Sequence, residues 1–69
     1  MRKVLVIEGM SCGHCAAHVA RALNALPGVQ ARVDLASKTA TVQSAEPVAD
    51  DVLRQAVQNA GYEVVAIHE

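Results

Sequence analysis

Val29-Gln30-Ala31-Arg32-Val33-Asp34-Leu35 alternates apolar and polar side chains without a break. A period of two is the signature of a β-strand with one buried and one wet face. Ala36-Ser37-Lys38 reads as a short turn, and beyond it Ala40 and Val42 alternate with Thr39, Thr41 and Gln43. Two alternating runs joined by a short polar turn predict a β-hairpin. The segments on either side change period. Upstream, Ala16, Val19, Ala20, Leu23 and Leu26 recur at steps of three and four from Cys15 onward, a helical stripe halted by Pro27-Gly28. Downstream, Glu46-Pro47 with Asp50 and Asp51 marks a second helix start, and Val48, Val52, Leu53, Ala56, Val57 and Ala60 form its apolar stripe before Gly61. At the two ends of the chain, Val4-Leu5-Val6-Ile7 and Val64-Val65 with Ile67 are short β-branched runs that read as strands.

The order strand, helix, strand, strand, helix, strand predicts an α+β, ferredoxin-like βαββαβ fold: a four-stranded antiparallel sheet with both helices on one face. Residues 1–69 read as a single domain, with no linker or low-complexity tract. A chain this short buries only about 60 % of the surface its unfolded form exposes. Its 52 % apolar content nevertheless supports a core, and 19 % charged residues is too few for a disordered chain.

A net charge of −1 and a single aromatic residue, Tyr62, exclude the basic, stacking surface that nucleic acid requires. The apolar run after Met1-Arg2-Lys3 is too short for a signal peptide or a membrane span, so the expectation is a cytoplasmic chain that does not insert into membranes. In a reducing compartment a close cysteine pair is a metal or redox site rather than a structural disulfide.

That pair lies in Met10-Ser11-Cys12-Gly13-His14-Cys15. Thiolates are soft ligands that select Cu(I), zinc or iron–sulfur chemistry over magnesium or calcium. Two intervening residues let both sulfurs turn toward one ion, and Gly13 is expected to supply backbone freedom. The second cysteine opens a helix, whose unpaired N–H groups are expected to lower its thiol pKa. Structural zinc and iron–sulfur clusters want four ligands, and the chain has two cysteines. A two-sulfur site matches Cu(I) and leaves one side open to an incoming thiolate.

With Gly9-Met10-Ser11-Cys12-Gly13-His14-Cys15, Leu26-Pro27-Gly28-Val29 after the first helix and Ala60-Gly61-Tyr62 after the second, the sequence resembles the heavy-metal-associated domains over nearly its full length. Among them it is most similar to the small bacterial copper chaperones. The resemblance implies Cu(I) held by Cys12 and Cys15 and passed by thiolate exchange to the metal-binding domain of a copper-transporting P-type ATPase, in a carrier rather than an enzyme. Ser11 stands where zinc-exporting relatives often carry an acid, and the signal peptide usual in mercury-binding relatives is not visible. A chain bounded by Met1 and the last strand reads as freestanding, the alternative being the metal-binding segment of an ATPase, where the same domain also occurs. Copper bridging two copies into a dimer is a further expectation.

Three neighbours are auxiliary candidates. Met10 could donate its thioether, although a flexible apolar side chain suits packing beneath the loop, where relatives bury it. His14 is read as an exposed loop residue, with a third ligand or a proton-sensitive modulator as its functional alternative. Tyr62 resembles a tyrosine that bacterial copper chaperones place beside the metal loop, where its ring covers the sulfurs and its hydroxyl orients the ligands, the alternative being a lone aromatic that only fills the edge of the core. His18 and His68 read as surface residues. The alternatives left open are a Zn(II) or Hg(II) carrier and a dithiol redox protein.

Overall fold

The computed structural model describes residues 1–69. Its elements are β1 (Arg2–Glu8), α1 (Gly13–Asn24), β2 (Val29–Asp34), β3 (Thr39–Ser44), α2 (Asp50–Asn59) and β4 (Glu63–His68). The sheet order is β2-β3-β1-β4 with every neighbouring pair antiparallel. Leu5 and Ile7 of β1, Val29 of β2 and Ala40 and Val42 of β3 turn toward the helices, and Val19, Leu23, Leu53, Ala56 and Val57 descend on them. Both helices cover that face, and on β2 and β3 strict alternation leaves the other side polar, with Gln30, Arg32 and Gln43 exposed.

The strand expected at Val64, Val65 and Ile67 carries an irregularity that its spacing required. Val64 and Ile67 both pack against the core although they are three residues apart. Strict alternation would put them on opposite faces. The register shifts between Val6 and Ile7, which face Ala66 and Val64, so Val65 is an extra residue, and it is left 60 % exposed.

Four boundaries differ from the expectation. Helix α1 starts at Gly13 rather than Cys15 and ends at Asn24, so Leu26 reaches the core from a turn closed by Val29 N–H on Leu26 C=O at 3.2 Å. Leu35 belongs to the hairpin loop, not to β2, because Asp34 already pairs with Thr39. Helix α2 begins after Ala49, so Val48 packs from the preceding loop, and Val52 is 43 % exposed rather than part of the buried stripe. Helical spacing alone does not say which side of a short helix meets the sheet. The Lys3 ammonium pairs with Asp50 in the first turn of α2, joining that helix to β1.

β2 is an edge strand, and its free backbone is partly occupied by Asn24. The Asn24 Oδ1 accepts from Ala31 N–H at 2.9 Å, while its Nδ2 donates to Ala31 C=O at 3.2 Å and to Ala20 C=O at 2.8 Å. A side-chain amide thus imitates the missing neighbouring strand. Asn24→Ala is expected to lower stability by about 1–2 kcal/mol and to promote edge association. Denaturant midpoints together with light scattering check this; an unchanged midpoint would show that water satisfies Ala31 equally well.

Candidate metal centre

The site is assembled by sheet register. Glu8, the last residue of β1, lies opposite Glu63, the first residue of β4. The chain leaving β1 and the chain entering β4 therefore meet at one end of the sheet. Gly9 turns the first of them with φ +97°, and a Cβ there would sit 3.3 Å from Tyr62 Cδ1, so the ring lies against the glycine backbone. Met10 then enters the core at 2 % exposure, anchoring the loop from beneath.

Tyr62 is placed by the end of α2. The N–H of Gly61 donates to Gln58 C=O at 2.9 Å and the N–H of Tyr62 to Val57 C=O at 3.1 Å, with Gly61 left-handed at φ +96°. This is a Schellman ending, in which the residue after the glycine folds back over the last turn of the helix. Ala60-Gly61-Tyr62 thus carries the ring to the cysteine loop.

Cys12 caps α1 in an extended conformation (φ −152°, ψ 169°), its thiol making no capping hydrogen bond, and Cys15 follows in the first turn. Their sulfurs are 3.2 Å apart. Both thiols are free, Cys12 exposed and Cys15 half-buried. The Cys15 thiol is lowered from 9.0 to about 6, first by the Tyr62 hydroxyl, then by the Ser11 backbone, the Cys12 thiol and the Cys12 backbone, against a smaller opposing effect of burial. Tyr62 is raised in return, chiefly by Cys15. The Tyr62 hydroxyl favours the Cys15 thiolate without a full hydrogen bond between them, whereas the two sulfurs are within hydrogen-bond reach of each other.

The cause of the thiol shift therefore differs from the one expected. Backbone groups contribute through Ser11 and Cys12, but the largest effect comes from a side chain 47 positions away in sequence. Gly13 is also not required for its conformational freedom: its φ is negative, it is helical, and a Cβ there would meet nothing within 4 Å. His14 is exposed and helical rather than in the loop. No third His, Cys, Asp or Glu joins the two sulfurs in a cluster. The residue that sequence reasoning missed is Asn24, whose ordinary helix-end position gave no signal of its contact with β2.

Tyr62→Phe removes the hydroxyl and keeps the ring, so the Cys15 thiol is expected to rise from about 6 toward 9.0. Thiolate absorbance against pH, or alkylation rate against pH, reads it directly. A titration unmoved by the substitution would leave the backbone as the main cause.

A small α+β sandwich that presents two free thiols on the loop entering its first helix defines a class of domain, one built to hold a soft ion at its surface. Residues 4–63 match the heavy-metal-associated domain, and the chain belongs to that family. It is 41 % identical over 66 residues to the copper chaperone CopZ of Staphylococcus aureus, an alignment covering 93 % of this chain and 97 % of that one. It is 48 % identical over 59 residues to a copper-exporting P-type ATPase of Mycobacterium tuberculosis, covering 86 % of this chain but only 8 % of that protein. The chain thus spans a small fraction of the transporters it matches. A solved structure described as CopZ metallochaperone superposes with a TM-score of 0.87 at 40 % identity, covering 94 % of this chain and 100 % of that chain. No helix is long and apolar enough to cross a membrane.

Proposed function

We propose that this protein is a Cu(I) carrier in which Cys12 and Cys15 hold one ion and surrender it by ligand exchange. The observation that carries the reading is the incomplete site: two free sulfurs 3.2 Å apart, with no third protein ligand gathered beside them. Low-coordinate thiolate ligation suits Cu(I), whereas structural zinc draws four ligands from protein. An exposed Cys12 gives an incoming thiolate access to the ion. The transfer then needs no redox step. One entering sulfur binds as one original sulfur leaves, and the copper remains Cu(I).

The receiving protein is the metal-binding domain of a copper-transporting P-type ATPase, and the setting is the cytoplasm. Support comes from the relatives, which include both a copper chaperone of matching length and the corresponding segment of copper-exporting ATPases. The ionised Cys15 contributes by holding metal without first having to lose a proton near neutral pH. Tyr62 covers the half-buried sulfur, and Met10 holds the loop from below rather than reaching the ion. The same open side permits two copies to share one copper. No bond in a substrate is made or broken, so the protein acts as a carrier and not as an enzyme.

A Zn(II) or Hg(II) carrier and a dithiol reductase remain the competing readings, the latter because a thiol lowered to about 6 also suits exchange with disulfides. Anaerobic competition of Cu(I) against Zn(II) for the reduced protein separates the ions, with Cu(I) expected to displace Zn(II). Retention of Zn(II) under excess Cu(I), or disulfide turnover without Cu(I) binding, would replace the reading.

A further inference from the structure

The early start of α1 has a chemical result, because it brings His14 out of the loop and into the helix that already contains His18. Four residues apart on a continuous helix, the two side chains occupy one face with Cβ atoms about 5–6 Å apart. Both residues are exposed, and neither imidazole is held in an ion pair or in a hydrogen bond to another protein group. Paired histidines one turn apart on a helix are the ligand arrangement of helical zinc sites. Neutral imidazole suits zinc, nickel and copper(II), in contrast to the soft thiolates beside it.

We infer that His14 and His18 form a second metal site on α1, which takes a divalent first-row ion with water completing the coordination and is separate from the sulfur pair. The separation follows from the geometry. Cys12, Cys15 and the histidines do not converge as a cluster of three. The sulfurs sit around the N-terminus of α1, with Cys15 turned toward Tyr62, whereas the line from His14 to His18 runs along the exposed side of the helix.

Local charge sets the strength of this site. No acidic residue lies in the first turn of α1, Arg21 follows His18 by three residues on the same face, and the helix N-terminus is itself positive. Each of these opposes a cation, so the imidazole pair is the weaker site and releases its ion readily. A chain whose sulfurs carry a soft monovalent ion then retains an independent, labile position for a divalent one.

The test uses the full chain with Cys12→Ser and Cys15→Ser, titrated with Zn(II) and followed by the imidazole resonances. Wild-type protein with alkylated thiols provides the same measurement should the double substitution disturb the fold. The expected result is one ion per chain, with His14 and His18 resonances moving together. His14→Gln or His18→Gln should weaken binding by about tenfold or more, since even partners that only orient metal ligands change affinity 10–100-fold, and His68→Gln should leave it unchanged. Binding indifferent to His18→Gln, or shifts confined to His68, overturns the inference. Because the thiols are absent or blocked throughout, neither result depends on the copper reading.

Discussion

Serine in place of Cys12 or Cys15 is expected to weaken Cu(I) binding by at least about a hundredfold, since partners that merely orient metal ligands already change affinity 10–100-fold. The hydroxyl is close in size to the thiol but is a hard, neutral donor that does not match Cu(I). With no third ligand gathered at the site, the loss has no local replacement. The two substitutions are not equivalent in their pH response. Cys15 ionises at about 6, so wild-type binding should hold near neutrality and fall as pH drops below that value, when protons compete for the sulfur. Cys15→Ser removes that ionisation, and Cys12→Ser also removes one of the groups that lowers it. Competition against a Cu(I) chelator across pH measures both effects. Wild-type affinity in either variant would show that the sulfurs are not the ligands.

The same ionisation affects folding in a direction set by its sign. A thiol held at about 6 in the native state, against an ordinary 9.0, favours the folded form fully above 9 and loses that contribution as pH falls to about 6. Reduced, metal-free protein should therefore become more stable between these limits, apart from the titration of other groups. The substitution Tyr62→Phe should narrow that window.

Leu5→Ala is expected to cost about 3 kcal/mol, within the range for a leucine truncated in a packed core. Leu5 is fully buried on β1, a central strand, and its register partners are Ala40 on one side and Ile67 on the other. A small alanine neighbour and a fixed sheet leave the cavity little means of collapsing. A domain of 69 residues has about 3–10 kcal/mol of total stability at typical values per residue. One substitution then removes about 30 % or more of it, and the cysteine loop loses its platform because Met10 packs into the same core. Urea denaturation measures the loss. Val65→Ala, at the exposed bulge, serves as the control and should stay within about 0.5 kcal/mol. A loss below 1 kcal/mol at Leu5 would mean that the core repacks freely.

The order of elements was legible in the sequence because the hairpin and both helices repeat at the period of the structure they form, and the two terminal runs, though not periodic, are short and β-branched. The alternation from Val29 to Val33 and the stripe through Val19 and Leu23 depend only on local geometry and one-sided burial. The candidate sulfurs were legible for a similar reason, since Cys12 and Cys15 are close in sequence and their spacing alone lets them face one ion. Boundaries were less legible. Nothing in Gly13-His14 announces a helix that already begins there, and Leu35 continues the apolar alternation past the end of pairing.

What the sequence determined by itself is thus a six-element α+β chain and a soft-donor pair beside the first helix. Tertiary structure decided the properties that depend on residues far apart in the chain. It brought Tyr62 against Gly9 and Cys15 through the pairing of Glu8 with Glu63, set Asn24 on the edge of β2, and inserted Val65 as a bulge so that Val64 and Ile67 could both reach the core. The physical reason is common to all three. Hydrophobic periodicity reports which face of an element is buried, whereas register and side-chain contact depend on what another element places there.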